Sequence, residues 1–122
     1  MDASLRHLVT KLVAVFTATG PAVDAGIVCP SGDTVEVFVK ASGFQSQKEV
    51  NFQVVKLFTS ADGSGEFLVK LQVRNDRKGD NFNWNILGGT DAYEKLHGTG
   101  SGIGLPLEGG VLNLYEGKVH ID

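Results

Sequence analysis

The sequence holds a single cysteine, Cys29, which excludes an intramolecular disulfide framework and any multi-cysteine zinc centre. No run approaches the roughly 20 consecutive apolar residues that a helix needs to span a bilayer. An excess of charge is also missing: 11 basic residues stand against 14 acidic ones, a net charge of −3. Nothing in that balance draws the chain to nucleic acid or to an anionic membrane surface. With 122 residues there is no room for a two-domain enzyme with a cleft between its halves. The length does suffice for one hydrophobic core without disulfide support, so a single domain spanning 1–122 is expected.

What is abundant is glycine, 16 residues in 122, about twice the usual ~7%. No Gly-X-Y period accompanies it, and 42% hydrophobic residues exclude a disordered polymer.

Residues 5–20, LRHLVTKLVAVFTATG, place basic residues before an apolar run and precede AVDAG, an arrangement with a faint likeness to a signal peptide cleaved after Ala25. Asp2, the short apolar stretch Leu12–Phe16, and Thr17 and Thr19 all oppose it. Leu5, Leu8, Val9 and Leu12 suit a helical turn, whereas alternation from Val9 to Thr17 suits a strand. A loose or helical lead-in over 1–12, followed by a strand, is expected.

The remainder alternates apolar and polar residues at period two. Residues 34–43 are rich in β-branched side chains. In 50–59, Val50, Phe52, Val54 and Phe58 share one face, into which Lys56 intrudes. ADGSG (61–65) marks a hairpin turn. Phe67, Val69, Leu71 and Val73 line one face of the next strand, NDRKGDN (75–81) reads as a polar turn, and Phe82, Trp84 and Ile86 alternate with asparagines. Strands over 96–105 and 111–121 complete the chain. Short strands with regular turn signals predict an all-β sandwich or closed antiparallel barrel, and closure is favoured because it leaves no exposed edge.

In HGTGSGIG (97–104), Gly98, Gly100, Gly102 and Gly104 occupy one parity, so a strand here has a face without side chains. Glycine weakens a strand interior, and the run therefore needs a packing reason. Phe82, Trp84 and Ile86 on the preceding strand can lie across the bare face. A dinucleotide loop is excluded because the third glycine falls one residue off G-x-G-x-x-G, and no Gly-Lys-Ser/Thr follows.

The segment NWNILGGTDAYEKLHGTGSG resembles the signature of the dirigent and allene oxide cyclase-like β-barrel superfamily, through Trp84, Ile86, Gly88, Gly89, Thr90, Tyr93 and Gly98. Asp91 stands where the motif usually has a fourth glycine, a substitution the turn tolerates because Asp can adopt the left-handed conformation. The wider pattern from about residue 26 is similar to small bacterial proteins of this type. The resemblance implies an eight-stranded barrel with an apolar cavity, in homodimers or homotrimers, that steers cyclisation of a reactive hydrophobic molecule without a cofactor. It also implies, in several members, a second cysteine near position 60. Serine stands there, which removes a Cys29–residue 60 disulfide and favours a cytoplasmic protein, secreted only if residues 1–25 act as a signal peptide.

The candidate chemistry is sparse. His7, His97 and His120 lack metal-site spacing and read as exposed or rim residues, and no metal is expected. Ser101 with His97 lacks the nucleophile-elbow context, and NDRKGDN lacks the calcium-loop pattern. Cys29 reads as a buried, inert thiol. An apolar barrel carrying one or two positioned donors makes a small-molecule site. On that basis Tyr115, Tyr93 and Lys56 are the catalytic candidates, a phenol or ammonium serving to polarise a carbonyl or stabilise an enolate-like charge. Trp84, Asn113, Phe52 and Phe67 are the substrate-binding candidates. The competing structural reading is that Tyr and Trp fill the barrel with their polar tips on backbone carbonyls. Parity in 111–121 puts Asn113 and Tyr115 together but does not decide which side faces inward. The expected function is a cofactor-independent cyclase or isomerase for a small hydrophobic substrate. The alternatives are a non-catalytic barrel for apolar ligands and a filled barrel acting as an interaction module.

Overall fold

Strands with one apolar face must bury it, and a sheet of eight can do so by curling until its first and last strands pair. A computed structural model describes residues 1–11, 13–42, 50–76 and 79–122. Eight antiparallel strands run in sequence order around a closed barrel. They are β1 (Asp2–Thr10), β2 (Ala14–Thr19), β3 (Ser31–Ser42), β4 (Val50–Ser60), β5 (Glu66–Asp76), β6 (Gly79–Gly89), β7 (Leu96–Leu107) and β8 (Gly110–Ile121). Closure is made by β1 against β8 through nine residue pairs, from Asp2↔Lys118 to Thr10↔Gly110. A short helix, α1 (Pro21–Asp24), crosses between β2 and β3 and buries Ala22. Among the described residues no helix is long and apolar enough to cross a membrane.

The barrel is the expected class, with two local corrections. Residues 2–10 form β1, not a loose or helical lead-in. Pairing with β8 decides between the two periodicities, because it turns Leu5 and His7 towards the interior opposite Tyr115 and Asn113. β5 and β6 also extend into NDRKGDN, pairing Asn75 with Asp80 and Asp76 with Gly79. The turn is therefore tighter than 75–81, and its Arg77 and Lys78, like Leu12 of the apolar stretch, lie outside the described residues.

Two bulges re-aim the wall. One lies between Glu36 and Phe38 on β3, and the other leaves Leu87 of β6 unpaired between Ile86 and Gly88. Asp91 is the one described non-glycine residue at positive φ, 52°, at the start of the Asp91–Tyr93 3-10 turn. The left-handed position expected for it is the one it occupies.

The glycine run has its packing reason. Phe82 pairs with Gly102 and Trp84 with Gly100, and the rings lie over the bare face. A Cβ on Gly100 would stand 2.0 Å from the Glu116 carbonyl oxygen and 2.6 Å from Trp84 Cζ2. Neither neighbour can yield, since one is backbone and the other a packed indole. At Gly104 the nearest atom is the Asn113 side-chain oxygen at 3.0 Å, which can rotate away. Gly100→Ala is therefore expected to destabilise the barrel by about 2–3 kcal/mol and Gly104→Ala by under about 1.5 kcal/mol. Urea unfolding of the two variants checks the order, and equal midpoints would contradict it.

Candidate functional site

The interior divides into a packed half and an open half. In the packed half Phe16, Phe58 and Phe67 stack and tilt on one another at ring separations of 5.1–6.3 Å. The void left there is about 40 Å3 and wholly apolar, lined by Phe67, Trp84 and Tyr115 among others. Such a space stays dry and holds no substrate. Trp84 Nε1 donates to the Ser101 carbonyl at 3.2 Å, so its polar tip is satisfied by backbone. The proposed binding residues Trp84 and Phe67 are thus placed in the filled core.

The open half begins at Lys56. A cavity of about 200 Å3 lies at this end of the barrel, walled by Val9, Val54, Leu71, Val73, Phe82 and Val111. Its polar lining is Glu36, Lys56, Asp80 and Asn113, and Phe52 completes it. Two of the binding candidates, Asn113 and Phe52, therefore meet Lys56 at one cavity. Asp80 is held by a hydrogen bond from the Asn75 amide. Glu36 is the register partner of Lys56 across β3 and β4.

Behind the lysine stands a residue that the sequence reading assigned to the surface or rim. His7 is 1% exposed, and its Nδ1 lies 3.4 Å from Lys56 Nζ. Its Nε2 lies 2.5 Å from Thr34 Oγ1, which is also buried. The ammonium has no acceptor capacity, so contact with Nδ1 puts the ring proton on Nε2, from which it is donated to Thr34. Burial, reinforced by the Lys56 charge, holds His7 down at about 3. Burial also pushes the Lys56 amine below its ordinary value, opposed in part by the Glu36 carboxylate. Burial thus lowers the proton affinity of both adjacent nitrogens.

Tyr115 packs over this group, its ring 4.8 Å from Phe82 and 6.4 Å from His7. Among the described residues its hydroxyl is the buried side-chain polar atom without a hydrogen-bond partner. Burial drives the phenol upward, and the Glu36 charge adds to that. Tyr115 lines the packed half and Lys56 the open one, and His7 stands between them.

Tyr93, the third catalytic candidate, lies elsewhere. Its hydroxyl accepts from Ser60 at 3.0 Å and meets Ser64 Oγ at 2.6 Å. Ser64 donates to the Asp62 carboxylate at 2.5 Å, and Cys29 Sγ lies 2.5 Å from Ser60 Oγ. Asp62 can only accept, so the single protons along the chain all point one way, from Cys29 through Ser60, Tyr93 and Ser64 to Asp62. Tyr93 locks the turn after β4 to the turn before β7. Cys29 is buried, and Ser60 is its direct neighbour.

His97 and His120 are exposed, face each other across β7 and β8, and share Asp122 at 2.8 and 3.2 Å. A concavity of about 740 Å3 lies on the outer wall among Asn51, Gln72, Asn81, Asn83 and Ser101. Among its lining residues none is a buried ionisable group, unlike Lys56 in the smaller interior cavity. No family model, curated protein or solved structure matches the chain.

Two outcomes follow from these environments. His7 binds a proton in the unfolded chain below 6.5 but in the folded one only near 3. Stability therefore falls as pH drops through that window, by about 1.4 kcal/mol per pH unit at most from this residue. Urea unfolding at several pH values should show His7→Gln with a flatter dependence than the parent, and an unchanged slope would contradict the assignment. Tyr115→Phe removes a hydroxyl that burial penalises, so it should leave the ligand-free barrel equally stable or up to about 1 kcal/mol more stable. Thermal unfolding checks the sign.

Proposed function

We propose that the chain is a cofactor-independent isomerase or cyclase of the dirigent and allene oxide cyclase-like kind, acting on a small, largely apolar molecule at the open end of the barrel. The observation that carries this reading is the buried Lys56, backed by His7, in the lining of a largely hydrophobic cavity. Burying an amine and an imidazole costs stability unless they are used, and sites that move protons keep groups whose environments displace their proton affinities. The closed fold, the glycine-and-aromatic packing and the Asp91 turn support the family reading.

In this scheme the hydrophobic wall confines the substrate in a reactive conformation. The amine of Lys56 removes or returns a proton, His7 holds that amine in place and shares its proton, and the Tyr115 hydroxyl supplies a donor for charge developing on oxygen. The cavity has the volume of about seven waters at ~30 Å3 each, which selects a compact substrate. An exposed row on β3, including Val35, Phe38 and Val39, supports assembly into a homodimer or homotrimer.

The test is hydrogen exchange on a bound ketone. Small cyclic ketones added in D2O should shift the methyl resonances of Val9, Val54, Leu71 and Val111 and exchange their α-protons faster than in buffer. Lys56→Met should abolish the acceleration. Binding without exchange would favour the non-catalytic barrel, and no shift with any compact apolar ligand would overturn both small-molecule readings.

A further inference from the structure

We propose that Lys56 is a carbonyl-capturing residue, and that the ligands of this cavity are small aldehydes or ketones held on it as imines. The inference rests on the mouth cavity being the binding site and adds the chemical class of its ligand. Three features of the geometry point there. Lys56 is 5% exposed yet lines the cavity, so a small molecule approaches it through that space. Its Nζ lies 3.4 Å from a neutral imidazole, which accepts one N–H and leaves the lone pair of the amine directed away from the ring. Valine, leucine and phenylalanine make up most of the lining, and burial among them lowers the proton affinity of the amine.

The groups facing the amine come from several elements. His7 is on β1, Glu36 on β3, Asp80 on β6 and Asn113 on β8. Glu36 opposes deprotonation, while burial favours it and is the larger influence. Glu36 and Asp80 lie in the lining and make the cavity unsuited to a second anion, which argues against carboxylate or phosphate ligands. A neutral carbonyl compound meets no such repulsion.

The step balances without an external oxidant or reductant. The Lys56 nitrogen attacks the carbonyl carbon, forming a C–N bond while the carbonyl π pair moves to oxygen. The amine loses one proton to His7 and the oxygen gains one, giving the carbinolamine. Solvent protonates the hydroxyl as the nitrogen lone pair expels it as water, which leaves a protonated iminium, and loss of its remaining N–H proton to solvent gives the C=N bond of the neutral imine. Hydrolysis runs the same steps backwards and frees the ligand.

The experiment is reductive trapping on the intact chain. Protein is incubated at neutral pH with propanal or benzaldehyde and sodium cyanoborohydride, which delivers hydride to the imine carbon and leaves a stable secondary amine. Peptide mapping by mass spectrometry then locates the adducts. Lys56 should be modified several-fold faster than the exposed Lys95 and Lys118, because burial lowers its proton affinity and leaves more of it as free amine. Lys56→Arg should lose the fast adduct while retaining its circular dichroism, and His7→Gln should slow its formation. Modification of Lys56 no faster than of the exposed lysines would overturn the inference. If the methyl resonances of the cavity still shift under those conditions, the binding site survives and only imine capture falls. If they do not shift, both fall together.

Discussion

The pairing of β1 with β8 is the constraint on which the rest depends. Once nine residue pairs close the ring, the interior becomes a fixed volume, and an eight-stranded barrel is just wide enough for its own side chains. Each inward position then competes with its neighbours across the lumen. The glycines of β7 and Gly117 of β8 leave space, and Phe82 and Trp84 take it up. The aromatics of β2, β4 and β5 fill what remains of that half. The molecule is solid at one end because one stretch of wall has no side chains.

The other half uses the same volume differently. Inward positions there carry His7, Thr34, Lys56 and Asn113 in place of large hydrophobes, and a cavity results. Isolated charges in such a place are strongly disfavoured. The protein resolves this by keeping the imidazole neutral, by depressing the proton affinity of the amine, and by setting a carboxylate across from it. These adjustments lower the cost of burial but do not remove it. Replacing a buried polar group of this kind with well-packed aliphatic residues is often neutral or stabilising, so the group is not explained by the stability of the fold.

Much of this was legible in the residues. Alternation located the strands from β3 onward, and the parity of Phe82, Trp84 and Ile86 against Gly98, Gly100 and Gly102 gave the packing of β6 on β7. Lys56 announced itself as the one charge on an apolar strand face. His7 did not, because Leu5, Leu8, Val9 and Leu12 also fit a helical turn, and a strand's inward parity has meaning only once its partner is known. The signal was present in Ala3, Leu5, His7 and Val9, which share one side of β1, but it needed β8 to be read. Tyr93 was misleading for the opposite reason. Its place in a recognisable turn was correct, yet its hydroxyl is committed to Ser60 and Ser64, a matter of tertiary proximity that spacing does not encode.

The ladder between β2 and β3 holds only three residue pairs, the fewest of the eight among the described residues. It ends at Asp33, one residue before Thr34, the partner of His7. The stretch of wall with the fewest cross-strand bonds is the cheapest to part locally, and here it borders Thr34. A brief parting of this seam would bring water to Thr34 first and, through it, to the imidazole, so the most buried base of the interior sits one side chain behind the weakest stretch of the wall.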